Sequence, residues 1–163
     1  PPGLNGWLLI GGASVVPLLE DRFVADGTTA RLNGQELAVS DRGDPAEFAV
    51  APTLWWSHER RTEFAAACRE TVERFDDLRR FGSIQYTLGA VARGALEGAI
   101  TNGRGSPGDT VVGTHLVEQA GGTVTDIHGE PWRHDAQGLV ASNGRAHDEL
   151  LDAARAVEQE RPD

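Results

Sequence analysis

The sequence predicts an α/β fold, a layered sandwich of sheets and helices. Short apolar runs typical of strands alternate along the chain with longer segments whose apolar residues recur at helical spacing. Glycine and proline residues stand between most of these segments, where turns are expected. The 163 residues, 39% of them hydrophobic, are enough to bury a sizeable core. These observations exclude a disordered chain.

Strands and turns dominate the first quarter of the chain. Strands are predicted at Leu8–Ile10, Arg22–Ala25 and Glu36–Val39. Asn33-Gly34 is a hairpin turn signal, because both residues tolerate a positive φ. The polar segment Ser40–Glu47, SDRGDPAE, contains one glycine and one proline and is the best linker candidate. We therefore place a domain boundary there, between residues 1–45 and residues 46–163.

The rest of the chain alternates strands with helices. In the first helix apolar residues recur every three or four positions, and Gly121-Gly122 ends the third. Ser57 and Ser83 stand where N-caps are expected. The predicted strands are Phe48–Pro52, Thr123–Ile127 and Gly138–Ser142, and the predicted helices are His58–Phe75, Ile84–Ala95, Thr110–Ala120 and Asp148–Gln159.

The charge of the chain limits its partners. The formal net charge is −10, and all fifteen basic residues are arginines. Such an acidic surface repels a polyphosphate backbone, so we expect no nucleic-acid partner. We also expect no membrane partner, because no apolar run approaches the roughly 20 residues that span a bilayer. A cytoplasmic location follows, and the acidic, lysine-free composition suggests a high-salt cytoplasm or a GC-rich genome.

Asp109 is the most informative acidic residue. It opens a predicted helix directly after a short apolar run and a glycine-rich loop. A carboxylate in a first helical turn is kept ionised by the helix dipole, and Mg²⁺ binds through one or two such groups. The alternative is a plain N-cap aspartate. Gly82-Ser83 begins another helix and either presents N–H groups and a hydroxyl to a ligand or is an ordinary cap.

The glycine loop itself offers a different function. Gly103–Gly108 fits G-x-G-x-x-G between a strand and a helix, and Asp126 lies near the spacing expected of a ribose-binding acid. This pattern predicts a dinucleotide-binding domain. However, Asp109 places a negative charge at the helix start where a pyrophosphate should bind. Two helices also precede a unit that normally begins its domain.

Three segments read together resemble the C-terminal half of the inositol monophosphatase family. They are RRFGSIQYTLGAVARGALEGAITN, PGDTVVGTHLVEQAGGTVTDIHGEPW and GLVASNGRAHDELL. The family carries P-W-D-x-A-A-G at a helix start, then E-A-G-G-x-V-T-D and later V-x-A-S-N, and Pro107–Gly113 occupies the first place here. Arg22–Ser40 is similar to the hairpin that ends the family's first domain. Residues 1–45 are thus expected to be the terminal strands of an incomplete first domain, and residues 46–163 the C-terminal α/β domain.

The resemblance implies Mg²⁺-dependent hydrolysis of a small phosphate monoester, inositol 1-phosphate or a related sugar phosphate, by a homodimer. Asp109 would bind the metal and approach the substrate. Gly82 and Ser83 would line the substrate-hydroxyl site, and Thr101 stands where inositol phosphatases place a substrate-binding glutamate. In the alternative of a non-catalytic binding or regulatory module that dimerises, Trp55-Trp56 would be the interface candidates.

Besides Thr101, two further departures from the family pattern matter. Gly108 replaces the family's tryptophan beside Asp109. The family's D-P-x-D-G-T metal motif is missing, since the partial match Asp26–Thr29 has Phe23 where an aspartate is required. The chain has no methionine and begins Pro-Pro-Gly, so it could be a piece of a longer protein. No catalytic set is complete, and we expect the chain alone to be inactive; a non-catalytic binding or regulatory module is the alternative.

Overall fold

Two β-sheets and the helices between and beside them form the molecule. The computed structural model describes residues 10–53, 61–102 and 106–159. The strands are β1 (Gly12–Val16), β2 (Asp21–Ala25), β3 (Ala30–Leu32), β4 (Gln35–Glu36), β5 (Ala49–Pro52), β6 (Asp77–Leu78), β7 (Gly98–Thr101), β8 (Thr123–Thr125) and β9 (Leu139–Ser142). The α-helices are α1 (Arg61–Arg74), α2 (Ile84–Ala92), α3 (Pro107–Gln119) and α4 (His147–Gln159), and short 3-10 turns lie at Pro17–Leu19 and Pro45–Glu47.

The first sheet is an antiparallel meander in the order β1-β2-β3-β4. The predicted hairpin turn is confirmed, because Asn33 and Gly34 have φ of 51° and 87° between β3 and β4. The strand predicted at Leu8–Ile10 lies largely outside the described residues, and β1 begins only at Gly12.

The strand predicted at Glu36–Val39 is wrong in extent. β4 stops at Glu36, although the Leu37 amide still donates to the Ala30 carbonyl at 2.8 Å. The chain then leaves the sheet, and the Val39 amide donates to the Ala120 carbonyl at 3.1 Å. Leu37 and Val39 pack against the main core, so burial between the layers determines the path of this segment.

The second sheet has the order β6-β5-β7-β9-β8. β5 is parallel to β6 and β7, whereas β9 is antiparallel to β7 and β8. Helices α2 and α3 pack between the two sheets, and α1 and α4 cover the other face of the second sheet. This arrangement confirms the predicted layered α/β sandwich. The domain boundary at Ser40–Glu47 stays a prediction, and this segment links the two sheets.

An apolar core lies on each face of the second sheet. Phe23 of β2 packs against α2, where Gly89 leaves room for its ring, and Leu88 and Leu116 fill the space between the sheets. On the other face, Phe48 and Leu150 belong to a second cluster between the sheet and α4. Alternation along the strands divides their side chains between these two cores.

A polar cluster fastens the linker to the second sheet. Glu97, which is 2% exposed, accepts a hydrogen bond from the Ala49 amide at 2.8 Å, and its other oxygen lies 3.6 Å from the Arg42 guanidinium. The Asn143 side chain donates to the Arg42 carbonyl at 2.8 Å, and the Asn143 amide donates to the Glu97 carbonyl at 3.0 Å. These bonds hold the linker at the end of the sheet where β7 begins.

His147 joins three elements at the start of α4. Thr125 Oγ1 donates to the Asp126 carbonyl, so it accepts from His147 Nε2 at 2.9 Å. The Nδ1 atom is then an acceptor and receives the Ser142 hydroxyl proton at 2.7 Å. Burial lowers the pKa of His147, while nearby Asp148 opposes that shift. Burial thus favours the neutral imidazole in this network.

The structure confirms the type of each predicted helix. Helices α2, α3 and α4 begin and end within three residues of their predicted bounds. For α1, positions 58–60 and the proposed cap residue Ser57 lie outside the described residues. Cys68 lies on α1, partly buried, and burial raises the pKa of its thiol. Among the described helices, none combines the length and apolarity needed to cross a membrane.

Candidate functional site

The predicted site residues lie at one edge of the second sheet. Because β5, β6 and β7 are parallel, their carboxyl ends lie at the same edge, where ligands bind in open α/β sheets. β6 leads directly into α2, and β7 leads into α3. Both helices therefore direct the positive ends of their dipoles toward this edge. The electrostatics favour an anion or a metal-bound anion.

Asp109 lies in the first turn of α3, half-buried. Ser106, not Asp109, is the N-cap residue, so the plain N-cap interpretation of Asp109 is wrong. The Ser106 hydroxyl donates to Asp109 Oδ2 at 2.6 Å, which fixes the direction of the carboxylate. Within the described part of the chain, Oδ1 accepts no hydrogen bond. One carboxylate oxygen is thus available for a ligand.

A single Mg²⁺ ligand fits this arrangement. Mg²⁺ commonly binds through one or two carboxylates and completes its shell with waters and substrate phosphate. Asp109 Oδ1 provides one such oxygen at a positive helix end. The described residues contain no group of three or more His, Cys, Asp or Glu residues that could hold a metal ion. Asp109 would therefore hold the ion as one ligand among several.

Gly82 and Ser83 form the turn into α2. Gly82 has φ of +76° with no atom near its missing side chain, so the backbone conformation alone requires glycine. The Ser83 hydroxyl accepts a hydrogen bond from the Tyr86 amide at 3.3 Å and caps the helix. Its proton remains available to donate. Both residues are exposed at the edge where α3 begins.

Thr101 is the last residue of β7 and is 5% exposed. The Thr53 amide donates to the Ile100 carbonyl at 2.7 Å, which extends the pairing of β5 with β7 and places Thr53 beside Thr101. The Thr53 hydroxyl is buried, and it has no hydrogen-bond partner among the described residues. Thr53 was not predicted as a site residue, although a polar residue directly after an apolar strand is a usable signal in the sequence.

Within the described ranges, other buried polar atoms at this end of the sheet also have no hydrogen-bond partner. They are Asn102 Oδ1, directly after β7, and both amide atoms of Gln85 in the first turn of α2. Buried polar groups are nearly always hydrogen-bonded, and leaving one unsatisfied costs about 1–3 kcal/mol. Such groups are expected where a ligand, ion or water completes the structure. No sequence pattern marks Gln85.

Asp26 lies elsewhere, in the loop between β2 and β3. Its Oδ1 accepts from the amides of Thr28 and Thr29 and from the Thr28 hydroxyl, at 2.7–3.0 Å. Its Oδ2 binds the Arg31 guanidinium at 2.9 Å. The structure thus places Asp-Gly-Thr-Thr in the hairpin, as its neighbours in the sequence predict. It is a structural turn.

The remaining sequence motifs are less informative. Gly108 is exposed, and an added Cβ would meet only Ser106 Oγ at 3.8 Å, so the position beside Asp109 is open. Asp126 Oδ1 accepts from the amides of His128 and Glu130 at 2.8 and 2.9 Å and so stabilises a turn. The loop at 103–105 and Trp55-Trp56 lie outside the described residues.

Known proteins match this chain closely in fold. An IMPase of Thermotoga maritima superposes with a TM-score of 0.85 at 25% identity, covering 94% of this chain and 58% of that one. An inositol monophosphatase from Anabaena superposes with a TM-score of 0.82 at 28% identity, covering 94% and 60%. The chain therefore spans about three fifths of the length of these proteins.

Sequence comparison agrees. The fructose-1,6-bisphosphatase/inositol-1-monophosphatase of Thermotoga maritima is 27% identical over 157 residues, which are 96% of this chain and 59% of that protein. A probable inositol 1-monophosphatase, ImpA, of Mycobacterium tuberculosis is 41% identical over 80 residues, 49% of this chain and 29% of that protein. The model of the inositol monophosphatase family matches residues 9–160. The chain belongs to the inositol monophosphatase family.

Proposed function

We propose that this chain is the C-terminal part of a Mg²⁺-dependent phosphomonoesterase that acts on a phosphorylated polyol or sugar, such as inositol 1-phosphate, in a cytoplasmic homodimer. The family match supports a phosphatase of this type. The observation that carries the site assignment is Asp109 Oδ1 at the start of α3, to which no described residue donates a hydrogen bond. A bound Mg²⁺ would supply an activated water and stabilise the charge that develops on the phosphoryl group and leaving oxygen.

The residues of this chain have separate tasks in that proposal. Asp109 would hold the metal, with Ser106 fixing the carboxylate through its 2.6 Å hydrogen bond. Gly82 and Ser83 would bind a substrate hydroxyl at the start of α2. Thr101 and Thr53, side by side at the carboxyl edge, would offer hydroxyls where the parallel strands end. The two helix dipoles would favour the phosphate.

The chain alone is proposed to have little or no turnover. One carboxylate does not hold a two-metal centre, and these 163 residues contain no D-P-x-D-G-T motif. Binding of metal and phosphate ester is expected to survive weakly, since Asp109 and the helix dipoles remain.

Two measurements test the proposal. Phosphate release from inositol 1-phosphate and fructose 1,6-bisphosphate is measured with Mg²⁺, and calorimetry follows Mg²⁺ and inositol 1-phosphate binding. We expect binding that Asp109→Asn removes, with no turnover above that variant. Turnover that Asp109→Asn abolishes would contradict the proposed inactivity. Binding unchanged by Asp109→Asn would contradict the site.

A non-catalytic binding or regulatory module that retains the fold is the second candidate. The observation that favours it is that the described residues contain no group of three or more side chains that could hold a metal ion. Light scattering combined with the phosphatase assay separates the two functions: a stable dimer that binds no Mg²⁺ or phosphate ester supports the module. The dinucleotide alternative is tested by fluorescence titration with NADH, and absence of binding at millimolar cofactor rejects it.

A further inference from the structure

The two edges of the first sheet differ in length and charge. One edge is β4, which is two residues long and ends in the exposed Glu36. The other edge is β1, which pairs only with β2 among the described residues. Soluble proteins commonly protect a sheet edge by shortness or by charge, because an open edge pairs with any strand that reaches it. β4 has both forms of protection, whereas β1 is longer and carries no charge.

Exposed apolar side chains accompany the edge at β1. Four large aliphatic residues between positions 10 and 19 are more than half exposed: Ile10, Val15, Leu18 and Leu19. No residue from Ile10 to Leu19 is charged, although 25% of the whole chain is. Aliphatic side chains exposed together in this way, with no charge among them, indicate a surface that contacts another protein. We call the segment Ile10–Leu19 the β1 edge.

The pairing of β2 determines which backbone groups of β1 are open. The Arg22 amide donates to the Asn33 side chain, and its carbonyl accepts from the Asn33 amide, so both groups point toward β3. Val15 lies opposite Arg22 in the ladder of β1 with β2. A residue opposite one that bonds to the next strand directs its own groups the other way. The amide and carbonyl of Val15 therefore point to the open edge, and alternation places those of Ala13 there as well.

A second copy of this chain fits these groups. Two β1 strands related by a two-fold axis through Ser14 run antiparallel, with Val15 opposite the partner's Ala13. Both residues direct their amide and carbonyl to the open edge, so the pair forms two hydrogen bonds and the symmetry axis repeats them. The same register brings Ile10 toward the partner's Leu18. The contact is therefore self-complementary in its hydrogen bonds and in its apolar side chains.

The charge of the chain favours the same contact. Each copy has a formal net charge of −10, so two copies repel each other unless they meet through an uncharged surface. We propose that two copies of this chain associate through the β1 edge and form one continuous antiparallel sheet across the two-fold axis. The inference rests on the proposed function only for the expectation of a homodimer. The short, charged edge at β4 adds no further copy.

Val15→Glu tests the inference, with Val72→Glu as the matched control. The two valines are 60% and 66% exposed, but Val72 lies on α1, which packs on the second sheet. Sedimentation equilibrium at several concentrations measures the dissociation constant of the dimer. Val15→Glu is expected to raise it at least about tenfold, because the pairing would take a carboxylate out of water. Val72→Glu is expected to change it less than about twofold.

Salt and a second variant sharpen the test. Added NaCl is expected to tighten association of the wild type, since it screens the repulsion between two acidic chains and leaves apolar contact intact. Association that salt weakens would indicate ion pairs and overturn the inference. If Val15→Glu does not fold, Leu18→Glu replaces it, because the Leu18 side chain is almost fully exposed and supports no core.

Other results also overturn the inference. A wild type that stays monomeric, or that forms open-ended aggregates, removes the two-fold contact. A dimer that neither Val15→Glu nor Leu18→Glu weakens uses a different surface. Calorimetry with Mg²⁺ and inositol 1-phosphate on the same samples separates the two proposals. A monomer that binds both rejects only this inference, whereas a dimer that Val15→Glu dissociates and that binds neither rejects only the phosphatase site.

Discussion

Two aspartates in two loops of this molecule have opposite surroundings. Asp26, between β2 and β3, belongs to a partial match to the family's D-P-x-D-G-T motif, and its carboxylate accepts hydrogen bonds from Thr28, Thr29 and Arg31. The Thr28 hydroxyl above all, with the loop amides, holds the pKa of Asp26 well below its usual range. Asp109 stands where the family's helix-start motif has its metal-binding aspartate, and among the described residues only Ser106 donates to its carboxylate.

The difference shows what makes a carboxylate a ligand. A metal ion binds lone pairs that the protein leaves unoccupied, and the Asp26 loop uses those of its own aspartate to hold a turn. The first turn of α3 fixes Asp109 through one oxygen and leaves the other available. Sequence motifs alone do not tell these two aspartates apart, because the difference lies in the hydrogen bonds that neighbouring residues donate to each carboxylate.

The largest expected effect is on metal binding. Asp109→Asn is expected to weaken Mg²⁺ binding in the presence of inositol 1-phosphate by at least about tenfold, because the anionic ligand is lost. Asp26→Asn is the matched control and changes the affinity by less than about twofold. Calorimetry on both variants checks the prediction. Equal losses in the two variants would remove the contrast between the loops.

Two glycines next to the helix starts extend the comparison. Gly82→Ala is expected to lower the free energy of unfolding by about 1–2 kcal/mol, because φ is +76° and no contact compensates. Gly108 lies in the first turn of α3 and is equally uncrowded, so Gly108→Ala is expected to raise the free energy of unfolding by about 0.5 kcal/mol. Urea unfolding of both variants measures the difference, and effects of the same sign would contradict it.

His147 makes the stability of the chain depend on pH. Its pKa in the folded chain is lowered from 6.5, so its contribution is complete above about pH 6.5 and is lost as the pH falls. His147→Gln is expected to lower the free energy of unfolding by about 1 kcal/mol at pH 7 and by less at pH 5. Urea unfolding at several pH values checks this, with exposed His128→Gln as control. A cost that does not shrink at low pH contradicts the neutral-imidazole network.

The smallest effect concerns the Asp26 turn. Its folded pKa is below the ordinary value of 3.8, so the carboxylate stabilises the chain above that pH and the contribution is lost as the pH falls below it. Asp26→Asn is expected to lower the melting temperature at pH 7, whereas exposed Asp41→Asn is not. The melting temperatures of wild type and Asp26→Asn should converge in strong acid. A constant difference would show that charge is not the cause.

Sequence patterns predicted the elements with long periodic signals well. The helical spacing before Gly121 and the N-cap at Ser83 correspond to α3 and α2, and the Asn33-Gly34 turn is where it was expected. β6 was missed because it has two residues, and the strand after Gly34 ended early because Leu37 turns into the core.

The site was predictable only in outline. Asp109 and Ser83 could be located because local signals mark helix starts. Whether Asp109 Oδ1 is free, whether Thr53 lies beside Thr101 and whether Gln85 lacks a partner depend on contacts between distant segments. Period and composition contain no information about such contacts.

The polar cluster around Glu97 also has a consequence for how the chain folds. The Ala49–Glu97 hydrogen bond joins residues 48 positions apart in the sequence, and the Asn143–Arg42 hydrogen bond joins residues 101 positions apart. Bonds across such separations form after local helices, because the loop-closure entropy must be overcome first. The linker is therefore locked in place late, and protection of the Asn143 amide from hydrogen exchange would report completed folding of the chain.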